Sequence, residues 1–304
     1  MKNNNAYHIP VMLEECIEAL QIKPNGIYVD VTFGGGGHSK RIFEKLSSEG
    51  RLIVFDQDPD AKQNAWEADN FEFVAGNFAY LKNQLRLLGI NHVDGILADL
   101  GVSSHQFDEE TRGFSIRGNA ALDMRMNQQS EKSAREVVNK YTEEELIRVF
   151  RSYGEIPNAR KLVNAIVVGR DSKQIKTTEQ FREIAEKCAP KYKENKYLAQ
   201  VFQAIRIEVN DEMDVLETFI KDCEEVLAPG GRLVVMSYHS LEDRIIKNYM
   251  KRGSISGAIT KDFYGNIIKP YTEITRKPVV ASEKEIELNS RARSAKLRIA
   301  EKNG

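Results

Sequence analysis

Four consecutive glycines, Gly34, Gly35, Gly36 and Gly37, follow a short apolar run at 26–31 (GIYVDV) and precede a stretch at 39–46 that reads as a helix. Glycine has no Cβ, so such a run lets the backbone turn sharply and lets a ligand approach the main chain close to the helix N–H groups. A merely tight strand-to-helix connection needs only one or two glycines. A second apolar run at 51–56 (RLIVFD) completes a strand–helix–strand unit, and runs at 71–75 and 95–99, with a helix at 81–88 between them, extend the series. Strands alternating with helices imply a parallel sheet with helices on both faces.

After Asp99 the alternation stops for about a hundred residues and helical signals replace it. Capping boxes open at Ser133 with Glu136 and at Thr142 with Glu145, and helical spacing continues over 160–168, 178–187 and 197–209. The α/β rhythm then resumes. A helix over 211–227 is read as ended by Pro229, Gly230 and Gly231, and a strand over 232–237 (RLVVMS) follows. The economical organisation is one α/β domain, residues 1–107 and 210–304, interrupted by an all-helical insertion at 108–209.

The 304 residues, 41% hydrophobic and 29% charged, exclude a disordered, collagenous or disulfide-scaffold protein. No apolar run approaches the ~18 residues of a membrane span, and residues 1–10 (MKNNNAYHIP) lack the apolar core of a secretory signal. Cys16, Cys188 and Cys223 lie far apart with no paired spacing, which fits a reducing compartment. A soluble, cytoplasmic protein without membrane attachment is expected. The net charge of -1 is uneven: residues 239–304 hold 14 Lys and Arg against 8 Asp and Glu. Such a segment suits phosphate contacts to a nucleic acid, although scattered basic residues commonly only solvate a surface.

Three strand ends carry candidate chemistry. Asp56 stands twenty residues after Gly36, where an acid accepts hydrogen bonds from a ribose diol, with Asp58 as the alternative reader. Asp99 opens a small, polar strand exit that continues through Ser103, Ser104, His105 and Gln106. A further exit at 237–244 offers Tyr238 and His239, suited to stacking on or hydrogen bonding a planar base, although residues 240–243 also read as a helix cap. The five histidines lack zinc-ligand spacing, so no metal is expected. The glycine run fails the strict GxGxxG pattern, which counts against a nicotinamide oxidoreductase, and no GxSxG or GxxxxGK[ST] motif is present. A non-catalytic RNA-binding protein that keeps a cofactor pocket is the third class.

Several blocks together resemble the bacterial RsmH (MraW) family of S-adenosylmethionine-dependent methyltransferases of small-subunit ribosomal RNA. They are HIPVML from His8, the glycine run, GNF from Gly76, the Asp99 exit, RGFS from Arg112, LDMRM from Leu122, QAIRIEVN from Gln203, PGGRL from Pro229, YHSLEDR from Tyr238 and RARSAKLR from Arg291. PGGRL is widespread among methyltransferases, whereas LDMRM, YHSLEDR and RARSAKLR in combination are narrow. The family often carries one non-glycine where this chain has Gly34 to Gly37 unbroken. The resemblance implies a class I methyltransferase fold, a Rossmann-like doubly wound, mostly parallel sheet with an inserted helical domain that would grip RNA.

It also implies methyl transfer from S-adenosyl-L-methionine to the exocyclic N4 of a cytidine in the decoding region of 16S rRNA. The assembled small subunit is favoured as substrate, and the oligomeric state is left open, a homodimer included. Matched position by position, the implied cofactor contacts are Gly36, Gly37, His38, Asp56, Phe78, Asp99 and Gln106. A cytosine amino group is a poor nucleophile because its lone pair is delocalised into the ring, so an acceptor that orients its N–H should help. Amino-methylating DNA enzymes carry Asp/Asn-Pro-Pro-aromatic at this strand end, and this chain has Asp99-Leu100-Gly101-Val102. The expected catalytic groups are Asp99 or a nearby carbonyl as acceptor, with Tyr238 or His239 contacting the base.

Overall fold

A computed structural model describes residues 10–103, 106 and 109–304; His8, Ile9, Ser104 and His105, which belong to two of the blocks above, fall outside that set. The chain forms two compact units, one taking residues up to Gly101 and from Asp214 onward, the other Val102–Met213.

In the first unit, strands β1 (Ile27–Asp30), β2 (Arg51–Asp56), β3 (Phe71–Ala75), β4 (Val93–Asp99), β5 (Leu227–Ser237), β6 (Tyr271–Glu273) and β7 (Lys296–Lys302) form one sheet in the order β3-β2-β1-β4-β5-β7-β6. The first five are parallel; β7 runs antiparallel to both β5 and β6. This is the class I methyltransferase sheet. The near-continuous burial of β2 and β4 is that of strands covered on both faces, which explains why their sequences are apolar runs rather than alternations. Helices α1 (Leu13–Leu20), α2 (Gly37–Phe43) and α3 (Leu81–Leu87) belong to the same unit. The order reverses between β1 and β4, and ligands on such sheets bind outside the strand carboxyl ends at that switch point.

The second unit contains α4 (Ala134–Lys140), α5 (Glu143–Ser152), α6 (Ala159–Ser172), α7 (Thr178–Glu186) and α8 (Glu194–Asn210). Its core gathers Val137, Leu146, Phe150, Leu162, Phe181 and Phe202, all buried. Ser133, Thr142 and Thr177 cap three of these helices through their side-chain oxygens. Two of the motifs, LDMRM and QAIRIEVN, prove to be internal ties. Asp123 of LDMRM holds Arg125 through both carboxylate oxygens, at 2.8 and 2.7 Å, and Arg125 reaches on to the Ser130 carbonyl at 2.6 Å. In QAIRIEVN, Glu208 accepts two bonds from Arg148 and one from the Tyr141 hydroxyl, each at 2.9 Å. Asn210 closes the Met124–Met126 loop with bonds of 2.7 and 2.8 Å.

The RGFS glycine is equally structural. Gly113 has φ +73°, and a β-carbon there would stand 2.4 Å from the Ala121 carbonyl oxygen. Gly113→Ala is therefore expected to cost about 2 kcal/mol or more, from backbone strain plus a clash with unyielding main chain. The measurement is a lowered urea midpoint for the full-length protein; an unchanged midpoint would refute it.

Three local expectations need correction. Helix α2 starts at Gly37, not Ser39, because Gly36 (φ 75°, ψ 11°) takes the left-handed position just before it. Pro229, Gly230 and Gly231 do not end the preceding helix α9 (Glu212–Val226); they lie inside β5. Leu227 already pairs with Val93 and Arg232 with Gly95, so residues 228–231 form a bulge opposite Asp94. The cap of helix α10 (Ser240–Arg252) is His239, one residue earlier than expected. The antiparallel β7 begins at Lys296, inside the last three residues of the RARSAKLR block, and there Arg298 and Lys296 meet Asp243 of YHSLEDR at 2.7 and 3.4 Å.

Candidate active site

The glycine turn is held from beneath by a buried acid. Asp30, the last residue of β1 and 1% exposed, accepts the Ser39 hydroxyl at 2.6 Å on one oxygen and the Thr32 N–H at 3.0 Å on the other. Both ends of the turn are thus fixed to one carboxylate. The Thr32 hydroxyl donates to Asp30 at 3.3 Å and accepts the Asp99 N–H at 2.7 Å, tying the exit of β1 to that of β4 across the switch point. Above this base the turn is open: a β-carbon on Gly35 would meet nothing within 4 Å. Gly37 is different, since a β-carbon there would lie 2.2 Å from Pro10 Cγ. His38, on the first turn of α2, is buried with Nε2 3.1 Å from the Val11 carbonyl oxygen.

Asp56 ends β2 and braces the turn from the other side, accepting the Gly34 N–H on Oδ2 and the Asp58 N–H on Oδ1, each at 2.8 Å. Burial pushes its pKa up to about 6 against the pull of those two hydrogen bonds. Each carboxylate oxygen has a second lone pair, so the group still has acceptor capacity for a diol. Asp58 instead caps the next turn, accepting the Asp60 N–H at 3.1 Å. Past β3, Asn77 caps a short turn and presents Phe78, half-buried and edge-on to Phe219 with ring centroids 5.1 Å apart.

Asp99 ends β4. Its Oδ1 accepts the Tyr238 hydroxyl at 2.7 Å; its Oδ2 has no hydrogen-bond partner among the described residues. Burial raises its pKa to about 6, opposed by nearby His38 and by the Tyr238 hydrogen bond. Burial and the adjacent Asp99 charge drive the Tyr238 phenol far above its ordinary value, so it remains a donor at any working pH. Gly101 turns the chain at φ +95°, and a β-carbon there would lie 3.7 Å from the Tyr238 ring. His239 is spent differently: its Nδ1 accepts the Glu242 N–H at 3.5 Å, which places the ring proton on Nε2, 3.2 Å from Glu242 Oε1. Glu242 in turn accepts the Tyr238 N–H at 2.9 Å and so fixes the start of the exit.

The structure therefore brings Gly36, Gly37, His38, Asp56, Phe78, Asp99 and Tyr238 to the carboxyl ends of adjacent strands. Gln106 belongs to the helical unit, where its Oε1 accepts the Ser103 N–H at 3.1 Å and its own N–H donates to Ser103 Oγ at 3.2 Å. Sequence reading passed over Asp30, Thr32 and Glu242 as functional supports. Asp30 did carry a signal, an acid inside an otherwise apolar strand run directly before the glycines.

The pattern that defines the MraW methylase family matches residues 5–303. The chain belongs to this family. It is 54% identical over 302 residues to the ribosomal RNA small subunit methyltransferase H of Flavobacterium johnsoniae, covering 99% of this chain and 100% of that one. It is 52% identical over 302 residues to the protein of the same name from Parabacteroides distasonis, covering 99% of both chains.

The exits in this MraW family member fit an elongated nucleoside-bearing cofactor. From β3 to β4 they cover three interstrand steps, about 14 to 15 Å. Along that line lie an aromatic ring, a carboxylate with spare acceptor capacity, an open glycine turn and a second carboxylate. Among the described residues no helix is long and apolar enough to cross a membrane.

Proposed function

We propose that this chain transfers a methyl group from S-adenosyl-L-methionine to the exocyclic N4 of a cytidine in the decoding region of small-subunit rRNA. The observation that carries the reading is the Asp99 carboxylate, with one oxygen engaged by Tyr238 and the other available beside an open glycine turn. Full-length identity to relatives named for small-subunit rRNA methylation supports it.

When bound, S-adenosylmethionine supplies a methyl group already activated by its sulfonium. Asp56 would hold the ribose hydroxyls, Phe78 the adenine, and Gly36, Gly37 and His38 the amino-acid end; the family resemblance also assigns Gln106 to this ligand. Asp99 Oδ2 would accept one N4–H of a cytosine turned out of its stack, direct the nitrogen lone pair toward the methyl position and receive the amino proton. Tyr238 positions that carboxylate and keeps it ionised. Of the two residues expected to contact the base, it is Tyr238 whose hydroxyl stands at Asp99, while His239 holds the helix start. The helical unit would carry RNA contacts, and the assembled subunit is the substrate we favour, because a decoding-region target depends on surrounding RNA shape. A cytoplasmic location follows from that substrate. Sedimentation of the free protein distinguishes a monomer from a homodimer.

The test is methyl transfer from labelled S-adenosylmethionine to small subunits lacking the mark, with nucleoside analysis. N4-methylcytidine at a single site is expected; absence of both transfer and S-adenosylhomocysteine binding would overturn the reading. A narrower result is expected for Phe78→Ala: roughly tenfold weaker S-adenosylhomocysteine binding by calorimetry, the scale of one lost aromatic stack. Unchanged affinity would remove Phe78 from the cofactor site.

A further inference from the structure

Residues 260–268 form a small hairpin after the far end of α10. Lys261 bridges Ile267, the Ile268 N–H donates to the Thr260 carbonyl at 2.9 Å, and Gly265 at φ +88° closes the turn. Gly, Pro, Asn, Asp and Ser normally dominate such turns. Here the tip holds Phe263 and Tyr264, 97% and 86% exposed, packed edge to face at 5.6 Å. We propose that this tip is a stacking platform for unpaired bases of the small-subunit rRNA; the proposal rests on the methyltransferase reading above and adds a second RNA contact.

The hairpin is built to stay in place. Asp262 accepts the N–H groups of Tyr264 and Asn266 at 2.9 and 2.8 Å, and the Asn266 side-chain amide at 3.0 Å. The base is fastened by Arg252 to the Gly257 carbonyl at 2.7 Å, and by Asn303 to the Lys269 carbonyl at 2.8 Å. A preformed pair of rings binds without the ordering cost that a loose loop would incur. The charge around it selects the partner. From 251 to 269 the chain has four Lys and Arg against a single acid, Asp262, which is consumed inside the turn. Lys251 and Lys261 are exposed and form no ion pair with the described residues. Aromatic faces interleaved with unpaired cations suit single-stranded RNA, where bases stack on rings while lysines meet phosphates.

Position adds to this. Helix α10 leaves the carboxyl end of β5 and runs 13 residues, about 20 Å, away from Asp99 before the hairpin begins. Tyr271, just past the hairpin, pairs with Lys302 at the opposite end of β7 from Lys296. Contact there therefore contributes to affinity for a large substrate and leaves the chemical step alone.

The experiment compares wild type, the double variant Phe263→Ala with Tyr264→Ala, and a ring-conserving pair, Phe263→Trp with Tyr264→Phe. Readouts are kcat and KM on small subunits lacking the mark, equilibrium binding to those subunits, and S-adenosylhomocysteine affinity. The alanine pair is expected to raise KM and the subunit dissociation constant roughly tenfold or more, with kcat and cofactor affinity unchanged, and the ring-conserving pair to stay near wild type. Wild-type subunit affinity in the alanine pair would overturn the proposal while leaving the methyltransferase reading intact. Loss of self-association in sedimentation, with KM unchanged, would assign the tip to a second copy instead and overturn it equally. A wild type that neither binds nor methylates subunits would sink the underlying reading and this proposal with it.

Discussion

Asp99→Ala is expected to lower kcat on small subunits by about 10²- to 10³-fold, the scale seen when one preorganised hydrogen-bonding group is removed from a reacting centre. Asp99 has two separate acceptor duties, the Tyr238 hydroxyl on Oδ1 and the proposed N4–H on Oδ2. Asn offers one oxygen and one NH2, so Asp99→Asn sets a donor against one of two donors and should also be impaired, by a smaller factor. Only the ionised carboxylate can accept on both oxygens and take up the amino proton, and its pKa is raised to about 6 by burial. The rate should therefore climb as pH rises through 6 and level off above 7. Tyr238→Phe removes an interaction that lowers this pKa, so the rising limb should move to higher pH. A full methylation rate in Asp99→Ala, with cofactor bound normally, would exclude Asp99 as the acceptor; an unshifted limb in Tyr238→Phe would exclude the coupling.

Asp56→Ala should weaken S-adenosylhomocysteine binding by about 100-fold or more, because two effects add. The proposed ribose contact is lost, and the N–H groups of Gly34 and Asp58 lose the acceptor that shapes the glycine turn. Asp56→Asn is not a mild change here, since both carboxylate oxygens already accept backbone N–H groups and the amide would turn its NH2 toward one of them. Hydroxyl donors favour the ionised form, so wild-type affinity should tighten as pH rises through about 6, the value to which burial lifts Asp56. Calorimetry between pH 5 and 7.5 measures both effects. An affinity independent of pH and of Asp56 would place the ribose elsewhere.

Much of the sheet was legible because its determinants are local. The runs ending at Asp56 and Asp99 are strands with those ends, since a strand buried on both faces must be apolar throughout and stops where an acid meets the crevice. The capping signals at Ser133 and Thr142 were legible for the same reason, each being a bond between residues three apart. What escaped depends on pairing across the chain. The PGG segment looks like a helix terminator, and it becomes a bulge only because Leu227 finds Val93. Strand β7 has no signature that separates it from a basic tail until β5 pairs with it and Asp243 meets Arg298.

The parallel α/β scaffold, the glycine turn and the acids at the strand ends are written in the order of the residues, because they follow from apolar period and from the backbone freedom of residues next to one another in the chain. What those acids do is set by the folded sheet. Asp30 supports the turn, Asp56 is half-spent bracing it, and Asp99 keeps an oxygen available because Tyr238, 139 residues later, takes the other. Hydrogen-bond capacity is allocated by neighbours in space, and those neighbours come from strand ends that only the folded sheet brings together.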